Sequence, residues 1–351
     1  SDFCGSKKAV REVIQSQTNG EIKWQKLQGI VYGQNIQKAN LFAGVKRFLT
    51  RAKLLGCSCY IVSHKTAFGH FDETKTNLHE AAESYLYENG ISPKLPDALV
   101  QGVFFEITRT AKLYRIRELE FDIFIDDLRE VLTHNLFPKK TQPILFNELE
   151  INENEELMRV SNMQQLSLYL FGPLQAKEFQ FAIPAHADTA ELTAVEGRGN
   201  SSIYKLQTGL GETFCIKLYP DEQDKSRMNR EYDSLSRLKS FSTPTVRPIA
   251  KDENLSAVAF EWLDGVELRH PTKSNIDAAI QFLRSLVAIS KKGVFDDMSA
   301  AAAACFSGTE IEAQFDTRLA PFLSIGDPEL IALVRQQLLP LKEKLSERAK
   351  K

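Results

Sequence analysis

Hydrophobic positions in the first 147 residues switch repeatedly between helical spacing and strand-like runs. NLFAGVKRFLTRAKLLG, from Asn40 to Gly56, carries apolar residues three and four apart and stops at a glycine, which predicts a helix. CSCYIVS follows it, uncharged and rich in strand formers, and predicts a strand ending at Ser63. NLHEAAESYLYENG is helical again and is closed by Gly90. GVFFEIT then reads as a strand, RTAKLYRIRELE as a helix, FDIFIDD as a strand, LREVLTH as a short helix and QPILFN as a strand. Strands that alternate with helices predict a parallel sheet covered on both faces. Reactive groups in such sheets gather beyond the carboxyl ends of the strands. That geometry selects Ser63 and His64, Glu106 to Arg109, and Asp126 with Asp127.

From Glu148 to about Glu156 the chain turns acidic and Asn-rich, the texture of a linker, and a region of different pattern follows. SIYKLQT and TFCIKLYP alternate like strands and are joined by GLGE, a hairpin signal. KSRMNREYDSLSRLKSF is a charged amphipathic helix, and AVAFEWL is an apolar strand running into Asp264-Gly265. Hairpin, helix, strand in that order predict an antiparallel sheet packed by one helix. Beyond Pro271 the pattern is helical, in IDAAIQFLRSLVAISKKG and DPELIALVRQQLLPLKEKLSERAKK. The reading is an α/β domain over residues 1–147, a linker with a connecting helix over 148–189, and an α+β domain over 190–351. No internal repeat is visible, and the alanine run at 300–304 is short.

Bulk composition narrows the class without naming an activity. The 351 residues are comfortable for two domains, and 43% hydrophobic with 26% charged is the balance of a globular protein. A net charge of -2 gives no electrostatic reason to expect nucleic acid or an acidic membrane as partner. No apolar run reaches the roughly 18 residues of a membrane span, and no signal peptide is visible, so a cytoplasmic location is expected. Cys4, Cys57, Cys59, Cys215 and Cys305 form no pair of CxxC hooks, and the plain expectation is small buried hydrophobes in a reducing compartment. Cys57 and Cys59 alternate along the expected strand and would share one side of it. The chain starts at Ser1 without a Met and closes on the charged LKEKLSERAKK, so both ends read as cut.

The first candidate site joins carboxylates, a hydroxyl and a lysine. Asp126 and Asp127 end the run FDIFI, where the chain turns and both can reach one place. Adjacent carboxylates repel unless a divalent cation neutralises them, and oxygen ligands of this kind suit Mg²⁺. Lys112 in the preceding helix could balance anionic charge, and Ser63 with the amides after it could hold a phosphate. Taken singly, each has an ordinary explanation: a helix cap, a turn serine, a solvated lysine. His64, His70 and His79 have no metal spacing and are expected on surfaces or loops. The order of the four elements resembles the haloacid dehalogenase (HAD) superfamily over roughly residues 1–147, with a Rossmann-like parallel sheet as the implied fold. SDF resembles its first motif with Asp2 as nucleophile, YIVSHKT the second with Ser63, TRTAKLYRI the third with Lys112, and FIDDLREVL the fourth with Asp126 and Asp127. The resemblance implies Asp2, Asp126 and Asp127 as ligands of Mg²⁺. Cys4 stands where the family's phosphatases carry a second Asp as general acid and base. A thiol with a pKa of about 8.5 protonates a leaving alcohol poorly, which implies poor turnover.

The second candidate site follows a glycine pair. EGRGNSSIYKL sets Gly197 and Gly199 before a strand, where backbone N–H groups can approach phosphates without a Cβ in the way, and Asn200, Ser201 and Ser202 add small donors. Lys217 sits between Ile216 and Leu218 in an apolar strand and needs a partner. Glu231 in the helix after it can supply one, and a strand lysine paired to a helix glutamate positions nucleotide phosphates in kinases. The set resembles the aminoglycoside phosphotransferase and choline kinase superfamily over roughly residues 190–351, a protein-kinase-like fold. That resemblance implies ATP as cofactor, Lys217 on its α/β-phosphates, Glu231 orienting Lys217, and FEWLDG as the adenine hinge. The family's catalytic loop, a His-Gly-Asp or Ser-x-x-Asp pattern followed by Asn and a metal-binding Asp, has no counterpart after Lys292, and Asp296 and Asp297 come too early for it. The whole implies a bifunctional or regulatory protein of small-molecule phosphate metabolism, with a nucleotide and a phosphate ester or alcohol as small-molecule partners. The alternative is a catalytically degenerate module that binds phosphorylated ligands.

Overall fold

The computed structural model describes residues 7–71, 75–146, 157–183, 189–196, 201–220, 225–266, 268–299, 307–324 and 328–349. They build a mixed α/β architecture in two units, Ser1–Gln25 with Ser299–Lys351, and Lys26–Met298. α1 (Lys7–Gln15) belongs to the first unit, and α2 (Gly20–Tyr32) begins there and ends in the second.

The second unit opens on alternating elements: α3 (Val45–Leu54), β1 (Tyr60–His64), α4 (Leu78–Glu88), β2 (Gly102–Glu106), α5 (Arg109–Glu118), β3 (Ile123–Asp126), α6 (Arg129–Leu132), β4 (Gln142–Phe146), β5 (Met158–Val160) and α7 (Met163–Phe171). Local chemistry sets these bounds. The side chains of Asn77, Thr108 and Asn162 accept backbone N–H bonds at the starts of α4, α5 and α7. Gly56, at φ +82°, turns the chain after α3 in a conformation that a Cβ would strain. The expected strands pair in parallel, as two separate sheets: β1 with β2, and β3-β4-β5. β5 and α7 both lie in the segment expected to be linker and connecting helix. A three-residue strand is too short to show a period of two.

Burial on both faces explains why β3 and β4 read as nearly continuous apolar runs. Phe124 and Leu145 meet Leu113 and Ile116 of α5 and Val131 and Leu132 of α6. On the opposite face Ile144, with Ile123 and Ile125, packs against Phe48 of α3 and Leu166 of α7. Val62 of β1 joins the cluster under α5, so that helix covers strands from both parallel sheets.

The rest of this unit is antiparallel: β6 (Glu191–Val195), β7 (Ser202–Gln207), β8 (Thr213–Leu218), α8 (Ser226–Leu238), β9 (Pro248–Asp252) and β10 (Ala257–Glu261), followed by α9 (Lys273–Ser290). The sheet order is β6-β7-β8-β10-β9. The hairpin, helix and final strand are as the pattern predicts, and β6 and β9 are additional. The GLGE turn closes β7 onto β8, with Gly211 at φ +85°. One face buries Leu206, Ile216, Leu218, Ala257 and Ala259 against Ala176, Phe179 and Ile183. The other face buries Val258, Phe260 and Tyr219 against Met228 of α8.

α3 runs between the two architectures. Its Phe48 packs on the parallel strands and its Leu54 on the antiparallel core. Arg47 donates to the carbonyls of Leu255 (2.8 Å) and Tyr219 (2.7 Å). The first unit is completed by α10 (Gly308–Ser324), α11 (Pro328–Leu333), a π turn (Val334–Leu338) and α12 (Leu339–Ala349). No described helix is long and apolar enough to cross a membrane.

Two sequence expectations need correction. Cys57 is exposed and lies before β1, not along it, and Cys59 is half-buried, so they are not a matched pair on one strand face. Burial, and then the neighbouring Cys57, push the Cys59 thiol up to about 11. We therefore expect N-ethylmaleimide at pH 8 to label Cys57 well ahead of Cys59, read by peptide mass spectrometry, because the thiolate is the nucleophile; equal labelling would contradict the burial. His79 is not a loop residue either. It sits in α4, stacked 4.6 Å from the Phe105 ring, with Nε2 2.8 Å from the Lys65 carbonyl.

Candidate functional site

Lys217 and Glu231 meet. β8 alternates, so Cys215, Lys217 and Tyr219 face α8 while Ile216 and Leu218 enter the opposite core. Glu231 lies near the middle of α8, and the Lys217 ammonium is 2.7 Å from both of its carboxylate oxygens. The side chains are 19% and 32% exposed, which shields the pair from much of the salt screening that weakens surface pairs. The ammonium also lies 4.9 Å from the centroid of the Tyr219 ring.

Beside this pair the buried Ser201 Oγ lacks a hydrogen bond, while the buried Tyr219 hydroxyl lies against the Glu231 carboxylate. Ile203 pairs across the ladder with Lys217 and Ser202 with Leu218, so Ser201, the residue before β7, falls opposite Tyr219 when that register is continued. Burial first, and the adjacent Glu231 carboxylate second, push the Tyr219 phenol well above its ordinary pKa, so it stays a neutral hydroxyl. A buried polar group without a partner is unusual in a folded protein and calls for a water, an ion or a ligand. No motif pointed to Tyr219, although the alternation in CIKLY places it on the face of Lys217. Gly197, Gly199 and Asn200 lie outside the described residues.

The segment expected to be an adenine hinge leaves β10 without regular secondary structure and is exposed from Leu263 to Val266. Trp262 donates from Nε1 to Asp264 Oδ1 at 2.9 Å and lies under the Lys205 ammonium, 5.0 Å from the ring centroid. Asp297 is engaged elsewhere. Its carboxylate is 2.5 Å from Arg237 of α8, and that hydrogen bond holds its pKa down at about 2.

In the parallel-sheet part, Lys112 and Asp126 come together. Lys112 faces inward from α5 and donates to Asp126 Oδ2 at 2.5 Å; both residues are buried. Asp126 Oδ1 accepts from the Leu128 amide at 2.9 Å, so both oxygens are engaged. Asp127, one residue on, is exposed. Ser63 is half-buried in β1, opposite Phe105 of β2. Asp2 lies outside the described residues. A Mg²⁺ ion needs several oxygens near 2.0–2.1 Å. Asp127 offers one open carboxylate here, whereas Asp126 is already neutralised by Lys112. No group of three or more His, Cys, Asp or Glu suited to a metal occurs among the described residues.

No protein-family model matches this sequence. No curated protein matches it either. Among solved structures, one described as a fructosamine-3-kinase from Thermobifida fusca YX-ER1 is similar at 23% identity over 23% of this chain, with a TM-score of 0.19. The match spans 27% of that structure's chain. A likeness this limited fixes neither the fold nor the function.

Proposed function

We propose that the antiparallel sheet of this protein is the nucleotide-binding part of a small-molecule kinase, with Lys217 on the phosphates of ATP and Glu231 orienting it. The observation that carries this reading is the two-oxygen contact between a lysine on the third strand of the sheet and a glutamate on the helix that follows it. Protein kinases place their phosphate-contacting lysine and its helix glutamate in the same relation. Ser201 supports it, since an arriving phosphate gives its unpaired hydroxyl an acceptor. ATP, as its magnesium complex, would supply the transferable phosphoryl group. Lys217 would hold its charge and Ser201 would donate to it, together with the Gly197, Gly199 and Asn200 loop. The substrate class in this reading is a small alcohol of the sugar, aminoglycoside or amino-alcohol kind.

For the parallel-sheet part we propose a phosphate site of the haloacid dehalogenase type, with Ser63, Lys112, Asp126 and Asp127. The Lys112–Asp126 pair supports it, because it links the third-motif lysine to a fourth-motif carboxylate. The saturation of Asp126 and the thiol of Cys4 favour binding over turnover in that half.

Titration with a fluorescent ATP analogue in the presence of Mg²⁺ tests the nucleotide reading. Wild-type protein is expected to bind saturably, and Lys217→Met to weaken binding at least tenfold, about 1.4 kcal/mol. Lys94→Met, which removes a surface partner of Glu83, is the control and leaves binding unchanged. Equal affinity in wild type and Lys217→Met would rule the site out.

A further inference from the structure

The two sides of α9 differ in what they carry. Phe282, Ser285 and Leu286 are half-buried and Ile289 is buried, so that side of the helix is the one the protein covers. Ile276, Ile280, Leu283 and Val287 are exposed. They recur four, three and four residues apart, the spacing of a coiled-coil seam, and so line up as one apolar stripe. Single exposed apolar residues are ordinary, whereas an aligned run of them marks an interaction surface. The helix that carries the stripe is locally well built. Thr272 and Asn275 cap each other at its start, and no glycine or proline interrupts its 18 residues.

The residues beside the stripe say what can cover it. One flank carries Asp277 and Arg284, both exposed, and neither has an ion pair or hydrogen bond among the described residues. The other flank carries Ala279 and Leu286. In two helices that run antiparallel about a two-fold axis, each seam residue faces a seam residue of the other copy. Setting Ile280 against Leu283 of a second copy puts Ile276 against Val287, and the axis repeats both contacts, so all four seam residues are covered. The same register brings Asp277 beside Arg284 of the second copy, twice. On the other flank it brings Ala279 beside Leu286, again twice. A parallel pair would set Arg284 beside Ala279 and Asp277 beside Thr272, and neither charge would be answered.

We propose that α9 is a self-association surface, on which two copies of this chain pair antiparallel through Ile276, Ile280, Leu283 and Val287, with Asp277 and Arg284 exchanging charge across the axis. The apolar seam supplies the attraction, and the two ion pairs set the direction and register. At a rise of about 1.5 Å per residue the stripe is only some three turns long, so the contact lies at the small end of specific interfaces and the dimer forms reversibly. This proposal does not depend on the nucleotide site and stands if that site fails.

Sedimentation velocity on the full chain, from about 5 to 200 μM, tests it. The wild type is expected to shift from monomer towards twice the monomer mass as concentration rises. Leu283→Glu, at an exposed position, should abolish the shift across that range. Arg284→Asp sets Asp beside Asp at both ends of the pair and should raise the dissociation constant roughly tenfold. Asp277→Arg combined with Arg284→Asp exchanges the charges and should restore the wild-type value, which separates loss of pairing from loss of fold. Leu168→Glu, at an exposed apolar residue on α7, should change nothing. A wild type that stays monomeric throughout would overturn the proposal, because the stripe would then be covered by something other than a second copy. So would a dimer that Leu283→Glu leaves intact, or one that Arg284→Asp weakens and the exchanged pair fails to restore.

Discussion

Arg51→Ala is expected to lower the unfolding free energy of the Lys26–Met298 unit by about 3–5 kcal/mol, the cost of removing one partner from a buried ion pair. Arg51 is 5% exposed and Glu178 1%. The guanidinium spends its donors on Glu178 Oε2 (2.5 Å) and Oε1 (3.1 Å), on Ser167 Oγ (2.8 Å), and on the carbonyls of Gly172 (3.2 Å) and Pro173 (3.3 Å). Alanine leaves the Glu178 carboxylate buried with the Gln175 amide as its remaining hydrogen-bond donor and leaves two carbonyls without their arginine. Lysine at position 51 should rescue little, since a single ammonium cannot reproduce the planar fork. Arg51→Met with Glu178→Leu removes both charges and should recover more than half of the loss. Urea denaturation of the four proteins measures this. A loss below about 1 kcal/mol for Arg51→Ala would place the pair with ordinary surface contacts.

The second large effect concerns Lys112. Lys112→Met keeps the aliphatic stem against α5's core neighbours and removes the charge that answers Asp126. The expected loss is about 3 kcal/mol, because Asp126 would remain buried with only the Leu128 amide as donor. Asp126→Asn in the same protein should restore part of it, since a neutral amide in that position no longer lacks a counter-charge. A double-mutant cycle by denaturant titration should therefore give a coupling of about 1–3 kcal/mol between the two positions. Additive effects would mean that the 2.5 Å contact contributes no coupling. The cycle also bears on chemistry. In the proposed phosphate site, a lysine so committed to Asp126 would act mainly through that carboxylate's position, and less as a free cation.

Much of the architecture was legible in the order of residues. Helical spacing ended by Gly56 and by Gly90 marked α3 and α4, and the GLGE turn between alternating runs marked β7 and β8. Such signals are local: a turn glycine or a cap asparagine acts within a few residues. The Lys217–Glu231 contact was legible for a related reason. A lysine flanked by Ile216 and Leu218 must find a counter-charge, and the helix after β8 offers Glu231 in reach. β6 and β9 gave weaker signals. β6 is largely exposed, and β9 starts at Pro248 and carries Lys251 and Asp252, so neither shows a clean alternation.

Burial was harder to read than element type. Ile276, Ile280, Leu283 and Val287 recur at helical spacing and correctly predict α9, yet they are 50%, 42%, 58% and 55% exposed. Arg51 and Lys53 look alike in the same basic helix, and only Arg51 is buried. Its partner lies 127 residues further along the chain.

By itself, then, the amino-acid order settled the clearest helices and strands, such as α3, α4, β7 and β8, with the glycines that stop or turn them, and that two clusters of charge need partners. Folding in three dimensions decided that the parallel strands form two sheets, that β5 extends the second of them, and that α3 lies between parallel and antiparallel layers. It also decided that Lys112 is answered by Asp126. The physical division is one of range: torsional preference, capping and periodicity act over a few residues, whereas strand pairing and desolvation depend on groups that the chain brings together only when it packs.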